Sequence, residues 1–270
     1  LLENYRVPLT NYGFDPPIAT ASILSDTEYD VDEMALEADT NWNMMNEEQK
    51  LIADTLKHEV DTFGSVPCFD RPRAYFIHAA GGCGKTFLAN SISKYCIGRH
   101  LEVANCAWTG IAATLLIKGV TAHALFKFPV PITSTSVCSV KPVSKHADYL
   151  RSVALIFIDE ASMIPLNAFR ALDVMLQDIT QNSVPFGGKL IVLAGDFRQT
   201  LPVLPKSNIA GILENCIFRS PLYRHITHLD LTQNVRADHT ETEFKDWLLH
   251  LGNGALRSSH PNSVRGQIDI

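Results

Sequence analysis

An apolar run breaks into glycines and closes on a lysine and a threonine in Tyr75-Phe-Ile-His-Ala-Ala-Gly-Gly-Cys-Gly-Lys-Thr86. No other stretch restricts the possible folds of the chain as much. Tyr75 to Ile77 suit a buried strand. Gly81, Gly82 and Gly84, with Cys83 among them, let the backbone curl so that its N–H groups face inward, and Phe87 to Tyr95 continue as a helix. Strand, loop and helix in that order make a phosphate-binding loop rather than an ordinary glycine turn. Lys85 is then expected to reach the β- and γ-phosphates of a nucleotide and the Thr86 hydroxyl to meet a magnesium ion. The pattern's usual first glycine is Ala79 here, a departure that adds one methyl group at the strand end.

A second strand pattern carries the partner expected for such a loop. Ala154-Leu-Ile-Phe-Ile158 is an unbroken apolar run that delivers Asp159-Glu160 at its carboxyl end, where ligands bind in open parallel sheets. Asp159 is expected to hold the metal and Glu160 to orient and deprotonate the attacking water. Lys189 to Ala194 form another buried strand, ending in Gly195-Asp-Phe-Arg-Gln199, which places Gln199 to sense the γ-phosphate. The run His228 to Arg236 reads as a later strand and turn presenting Arg236.

Composition narrows the class. Hydrophobic residues make up 46% and charged residues 19%, the balance of a globular protein, and no apolar run reaches the roughly 20 residues of a membrane helix. A soluble protein without membrane partners is expected. Six widely spaced cysteines with no C-x-x-C pair speak against zinc and disulfide frameworks and for a reducing compartment. The net charge of −6 is unevenly spread. Of 29 acids and 23 bases, residues 1–70 hold 15 and 3, so 14 acids and 20 bases fall in residues 71–270. The body is mildly basic, which permits a nucleic-acid surface and equally fits a solvated face.

Along the chain, residues 1–41 read as a flexible acidic leader. The chain opens on Leu1 without a targeting leader, which reads as a fragment. Asn46-Glu-Glu-Gln49 opens a helix with Ile52, Leu56 and Val60 on one face. Gln49 has two readings: it closes a capping box with Asn46, or it reads an adenine edge beside the phosphate loop. Trp108 to Leu116 and Gly119 to Phe126 are small-residue helix starts, and Pro129 to Ala147 is an exposed loop. Leu172, Leu176 and Ile179 mark a core-facing helix, and Phe244, Trp247, Leu248 and Leu251 mark another. The expected division is a leader over 1–41, a first RecA-like ATPase domain over 42–225, and the start of an incomplete second one over 226–270.

Taken in order, NEEQ, GGCGKT, TGIAATLL, TAHALF, IDEASM, FGGKLIVLAGDFRQTLPV, LTQNVRA and FKDWLLHLGNG resemble the Pif-type (petite integration frequency) DNA helicases of superfamily one, including the helicase region of Helitron transposons. The match runs from about Asn46 to Gly254. The resemblance implies an α/β, RecA-like P-loop NTPase, a parallel sheet sandwiched by helices, which couples ATP hydrolysis to 5′-to-3′ movement on single-stranded and forked DNA. It implies ATP and Mg2+ as cofactors. It gives Gln49 to adenine, Lys85 and Thr86 to phosphate and metal, Asp159 and Glu160 to the chemistry, and Gln199 and Arg236 to the γ-phosphate. Thr109, Gly110 and His123 fall in the stretches that touch DNA. Family roles in DNA repair, recombination, replication and telomere maintenance imply a nuclear protein, with mitochondria as a second location. Trp108 stands where the family has a small residue, and nothing after Gly254 resembles the motifs of the second motor domain. The alternative is a transposon-derived remnant that binds ATP and DNA without unwinding.

Overall fold

The computed structural model describes residues 29–63, 71–204, 207–235 and 247. The first helices are α1 (Val31–Met44) and α2 (Glu47–Asp61), followed by β1 (Arg73–Ala79), α3 (Lys85–Ile97) and β2 (Val103–Ala107). Two short pieces, α4 (Gly110–Thr114) and β3 (Val120–Thr121), lead into α5 (Ala122–Phe126) and α6 (Lys145–Ser152). Then come β4 (Leu155–Asp159), α7 (Leu166–Thr180), β5 (Leu190–Gly195), α8 (Ile209–Glu214) and β6 (Ile226–Leu231). The six strands form one sheet in the order β3-β2-β4-β5-β1-β6, and every pairing is parallel. An α/β sheet with helices on both faces is the expected class.

Two-residue alternation explains the two layers of core. On one face Phe76, Ile156, Ile158, Ile191 and Leu193 pack with Phe169, Leu172 and Leu176 of α7. On the other Tyr75, Ile77, Phe157 and Val192 pack with Ile52 and Leu56 of α2 and Leu88 and Ile92 of α3. Strands covered on both sides read as unbroken apolar runs, and removing a ring such as Phe157 from this setting costs about 3–5 kcal/mol.

Three sequence expectations change. Residues 1–28 lie outside the description, but from Val31 the acidic leader is a helix. Asp30 caps it by accepting from Asp32 N (3.0 Å) and Glu33 N (3.1 Å), and those two acids occupy the first turn, where negative charge suits the helix dipole. Met34 and Ala38 are buried, and Glu37 pairs with Lys94 of α3 at 2.6 Å. A side chain at Gly98, just past α3, would meet the Ala35 backbone within 2.8 Å, so α1 rests directly on the end of α3. Acid richness reflects dipole complementarity here rather than flexibility.

The second change concerns residues 226–231. They pair along β1 from Ala74↔Ile226 to Ala79↔Leu231 and so extend the first sheet instead of opening another domain. The third is a refinement: the loop before α6 is largely exposed as expected, but Cys138 and Val140 tie it to the core. Apart from Trp247, the expected helix around Phe244 lies outside the described residues.

The start of β1 is held by a charged cluster. Glu59 of α2 accepts from Arg73 Nε (2.8 Å), Arg71 Nη2 (2.7 Å) and Tyr75 Oη (2.8 Å). Burial pushes the Glu59 carboxyl up, but those three donors outweigh it and leave the group below its ordinary range. This anchors α2 to the strand that leads into the phosphate loop.

Candidate nucleotide site

The site lies at the carboxyl ends of β1, β4, β5 and β6, on the sheet edge that open parallel folds use for ligands. β1 ends at Ala79, and the loop through Gly84 feeds the first turn of α3. Gly82 and Gly84 have φ of 86° and 81°, the left-handed region that favours glycine. Gly84 is further constrained, because a Cβ there would run into the Gln49 side-chain amide and touch Val235 Cγ2 at 3.4 Å. Gly84→Ala is therefore expected to lower unfolding stability by about 1–2 kcal/mol from backbone strain alone and to weaken nucleotide binding. Urea denaturation alongside a nucleotide titration measures both.

The shape of the loop follows from what its carbonyls bind. Gly81 O accepts from Asn234 Nδ2 (3.2 Å), Gly82 O from Val235 N (2.9 Å) and Cys83 O from Gln49 Nε2 (3.1 Å). In a trans peptide the N–H points opposite to the C=O, so tying these carbonyls outward turns the N–H groups of Gly82 and Gly84 to the other side. That side is the anion socket, and α3 starts there with its positive dipole end.

Lys85 Nζ lies 2.8 Å from Asp159 Oδ1 and 3.4 Å from Glu160 Oε1. Burial pulls the lysine pKa down, but the two carboxylates outweigh that and hold it above its ordinary value. Asp159 is only 3% exposed and also accepts from Glu160 N at 2.8 Å. Glu160 has φ 55° and ψ 37°, a left-handed conformation that costs a non-glycine residue about 1–2 kcal/mol. Strain of this kind is concentrated at functional positions, and it fixes where the carboxylate leaves the end of β4.

Gln199 follows β5, donates to Asp196 Oδ2 (3.2 Å), and its Nε2 lies 3.2 Å from where a Cβ on Gly81 would sit. The structure therefore brings Gln199 onto the phosphate loop. Gln49 forms the capping box with Asn46, and its side chain, 3% exposed, at the same time reaches the loop. Thr86 occupies the first turn of α3 beside Lys85. Arg236 lies outside the described residues.

Two features of the neighbourhood escaped the sequence reading. Glu48, one residue before Gln49, accepts from Thr232 N (2.8 Å), Thr232 Oγ1 (2.5 Å) and Gln233 N (3.0 Å). His78 Nε2 and His228 Nδ1 lie 2.9 Å apart on the paired strands β1 and β6, with burial and then the neighbouring His228 lowering the His78 pKa. Glu48 sits within the NEEQ stretch, but nothing local shows its partners, and the histidines carry no motif: each contact depends on the placement of β6 beside β1 across more than a hundred residues.

The expected DNA-contacting residues lie at the ends of β2 and β3. Thr109 caps α4 by accepting from Ala112 N at 3.4 Å, and Gly110 is exposed with open space where a side chain would be. His123 on α5 packs its ring on Trp108, centroids 4.6 Å apart, and Phe128 lies 5.7 Å from His123. Trp108 is partly buried against the core and presents its remaining surface beside Thr109.

Asp159 and the Thr86 hydroxyl are hard oxygen donors of the kind magnesium prefers, and the glycine-shaped socket suits a polyphosphate. Among the described residues no group of three or more histidine, cysteine or acidic side chains is arranged to hold a metal unaided. No described helix is long and apolar enough to cross a membrane.

The chain is similar in sequence and in fold to known proteins. The ATP-dependent DNA helicase Pif1 of Psychrobacter sp. is 34% identical over 130 residues, which cover 47% of this chain and 20% of that protein. The Bacteroides Pif1 helicase solved with ADP-AlF3 and single-stranded DNA superposes with a TM-score of 0.64 at 25% identity, covering 78% of this chain and 47% of that one. A structure of two coordinating Pif1 helicases unwinding forked double-stranded DNA gives 0.62 at 25% identity, covering 79% and 49%. The chain thus spans about a fifth of the curated relative's length and about half of each solved chain. The PIF1-like helicase family model matches residues 44–262, most of the sequence, and the chain belongs to that family.

Proposed function

We propose that this chain is the nucleotide-binding motor portion of an ATP-dependent DNA helicase. One observation carries the reading: the phosphate loop, the Asp159-Glu160 pair and Gln199 converge at one sheet edge, with Lys85 between loop and acids. In this reading Lys85 leaves the carboxylates for the β- and γ-phosphates when ATP enters, Gln49 faces the adenine, and Gln199 and Arg236 face the γ-phosphate. Thr86 and Asp159 hold Mg2+, which neutralises charge on the phosphates when bound. Glu160 accepts a proton from the attacking water as the new oxygen–phosphorus bond forms, and the bond to the bridging oxygen breaks to release ADP.

Thr109, Gly110 and His123, with Trp108 beside them, are proposed to meet single-stranded DNA, movement on which runs 5′ to 3′. Forked DNA as substrate, a second RecA-like domain as partner, roles in repair, recombination or telomere maintenance, and a nuclear location rest on the family resemblance. The Bacteroides and forked-DNA complexes support the DNA arm of the reading, since those proteins share the family and the fold. Titrations with fluorescent ADP and a labelled oligothymidylate test it. Binding of both is expected, the DNA affinity falling as salt rises. Absence of nucleotide binding with Mg2+ present would remove the basis of the assignment.

A further inference from the structure

We propose that Glu48 is a positioning residue for the phosphate loop, clamping the turn after β6 so that this turn holds the loop in its anion-binding shape. The inference rests on the nucleotide-binding reading and adds a part to it. One carboxylate oxygen of Glu48 accepts from the backbone N–H groups of both Thr232 and Gln233, and the other accepts the Thr232 hydroxyl. Three donors from two adjacent residues fix that turn against the start of α2. The next two residues make the loop contacts: Asn234 donates to Gly81 O, Val235 N donates to Gly82 O, and Val235 Cγ2 would touch a Cβ on Gly84. The third loop carbonyl, Cys83 O, is held by Gln49, the neighbour of Glu48 on the same helical turn.

A closed circuit results. The first turn of α2 grips the loop directly through Gln49 and indirectly through Glu48 and the β6 turn. Three successive loop carbonyls are thereby turned outward by groups that all depend on two adjacent residues, Glu48 and Gln49. Bonds from a carboxylate to backbone N–H groups are charge-assisted and stronger than neutral ones. Burial pushes the Glu48 carboxyl up, but the bonds from Thr232 and Gln233 outweigh it and leave the group below its ordinary value, as expected of a carboxylate engaged in its charged form. Glu47, one residue earlier, is exposed and makes none of these bonds, so the role belongs to one acid of the pair.

The test compares wild type, Glu48→Ala, Glu48→Gln and Thr232→Val by calorimetric titration with Mg-ADP, thermal melting and amide hydrogen exchange at Val235. In Glu48→Ala, ADP affinity should fall about tenfold and Val235 exchange should quicken by a similar factor, while melting of the nucleotide-free protein moves by only a few degrees. Glu48→Gln, which keeps one acceptor oxygen, and Thr232→Val, which loses one donor, should lie between. Unchanged ADP affinity and unchanged Val235 exchange in Glu48→Ala would overturn the proposal. So would parallel losses of melting temperature and affinity that glutamine fails to moderate, because a merely structural role gives that pattern. Should Glu48→Ala not fold, wild-type values in both milder variants would overturn it equally. If wild type itself fails to bind ADP, the nucleotide reading falls, while Val235 exchange still decides the clamp.

Discussion

Replacing Lys85 by alanine is expected to weaken ADP and ATP binding at least about thirtyfold, the lower end of what losing one partner of a buried, hydrogen-bonded charge pair costs. Backbone N–H groups supply partial charges, whereas the ammonium supplies a full one, and its stem reaches into a site where it is already largely buried. The variant should also be less stable without nucleotide. Asp159, 3% exposed, keeps the N–H of Glu160 but loses its cation, a change on the order of 1–3 kcal/mol. Calorimetric titration and urea denaturation separate the two effects. Equal affinities for wild type and variant would exclude Lys85 from the phosphate site.

Glu160→Gln should bind Mg-ATP nearly as well as wild type and hydrolyse it about a hundredfold to ten-thousandfold more slowly. The amide cannot take the water's proton, while Asp159 and Lys85 stay in place. The left-handed backbone at Glu160 sharpens this expectation, because the position is held by main-chain geometry that glutamine shares. The measurement belongs in a protein long enough to hydrolyse ATP, with single-stranded DNA present. Wild-type turnover in that variant would show that another group, or water alone, accepts the proton.

The parts of this site that were legible in the sequence are those in which a local pattern and a chemical role coincide. Glycines followed by Lys85-Thr86 after a strand, and two acids ending an apolar run, each fit in about a dozen residues, and the structure places both at one sheet edge. The role of Gln49 was half legible, since its spacing from Asn46 showed the capping box and not the reach to Cys83 O. Other features were hidden for physical reasons. The left-handed turn at Glu160 is a backbone state that glutamate does not signal. The acids near Val31 read as solvated when considered as charge, and as a helix start only when Asp30 is considered as a cap. Assigning β6 to the first sheet required knowing that Ile226 aligns with Ala74, which no local pattern encodes.

That parallel pairing of β1 with β6 has a consequence for the time at which the protein becomes competent. The groups that turn the loop carbonyls outward come from opposite directions in the chain: Gln49 precedes the loop, while Asn234 follows Gly81 by 153 residues. On the ribosome, at roughly 5–20 residues per second, the glycine loop emerges on the order of ten seconds before the segment that shapes it. β5 emerges before β6, so until the last strand follows β1 has at most one of its two neighbours and its other edge stays open to wrong partners. The socket is thus among the last parts of the sheet to be completed, so an incomplete nascent chain has no formed site with which to capture nucleotide.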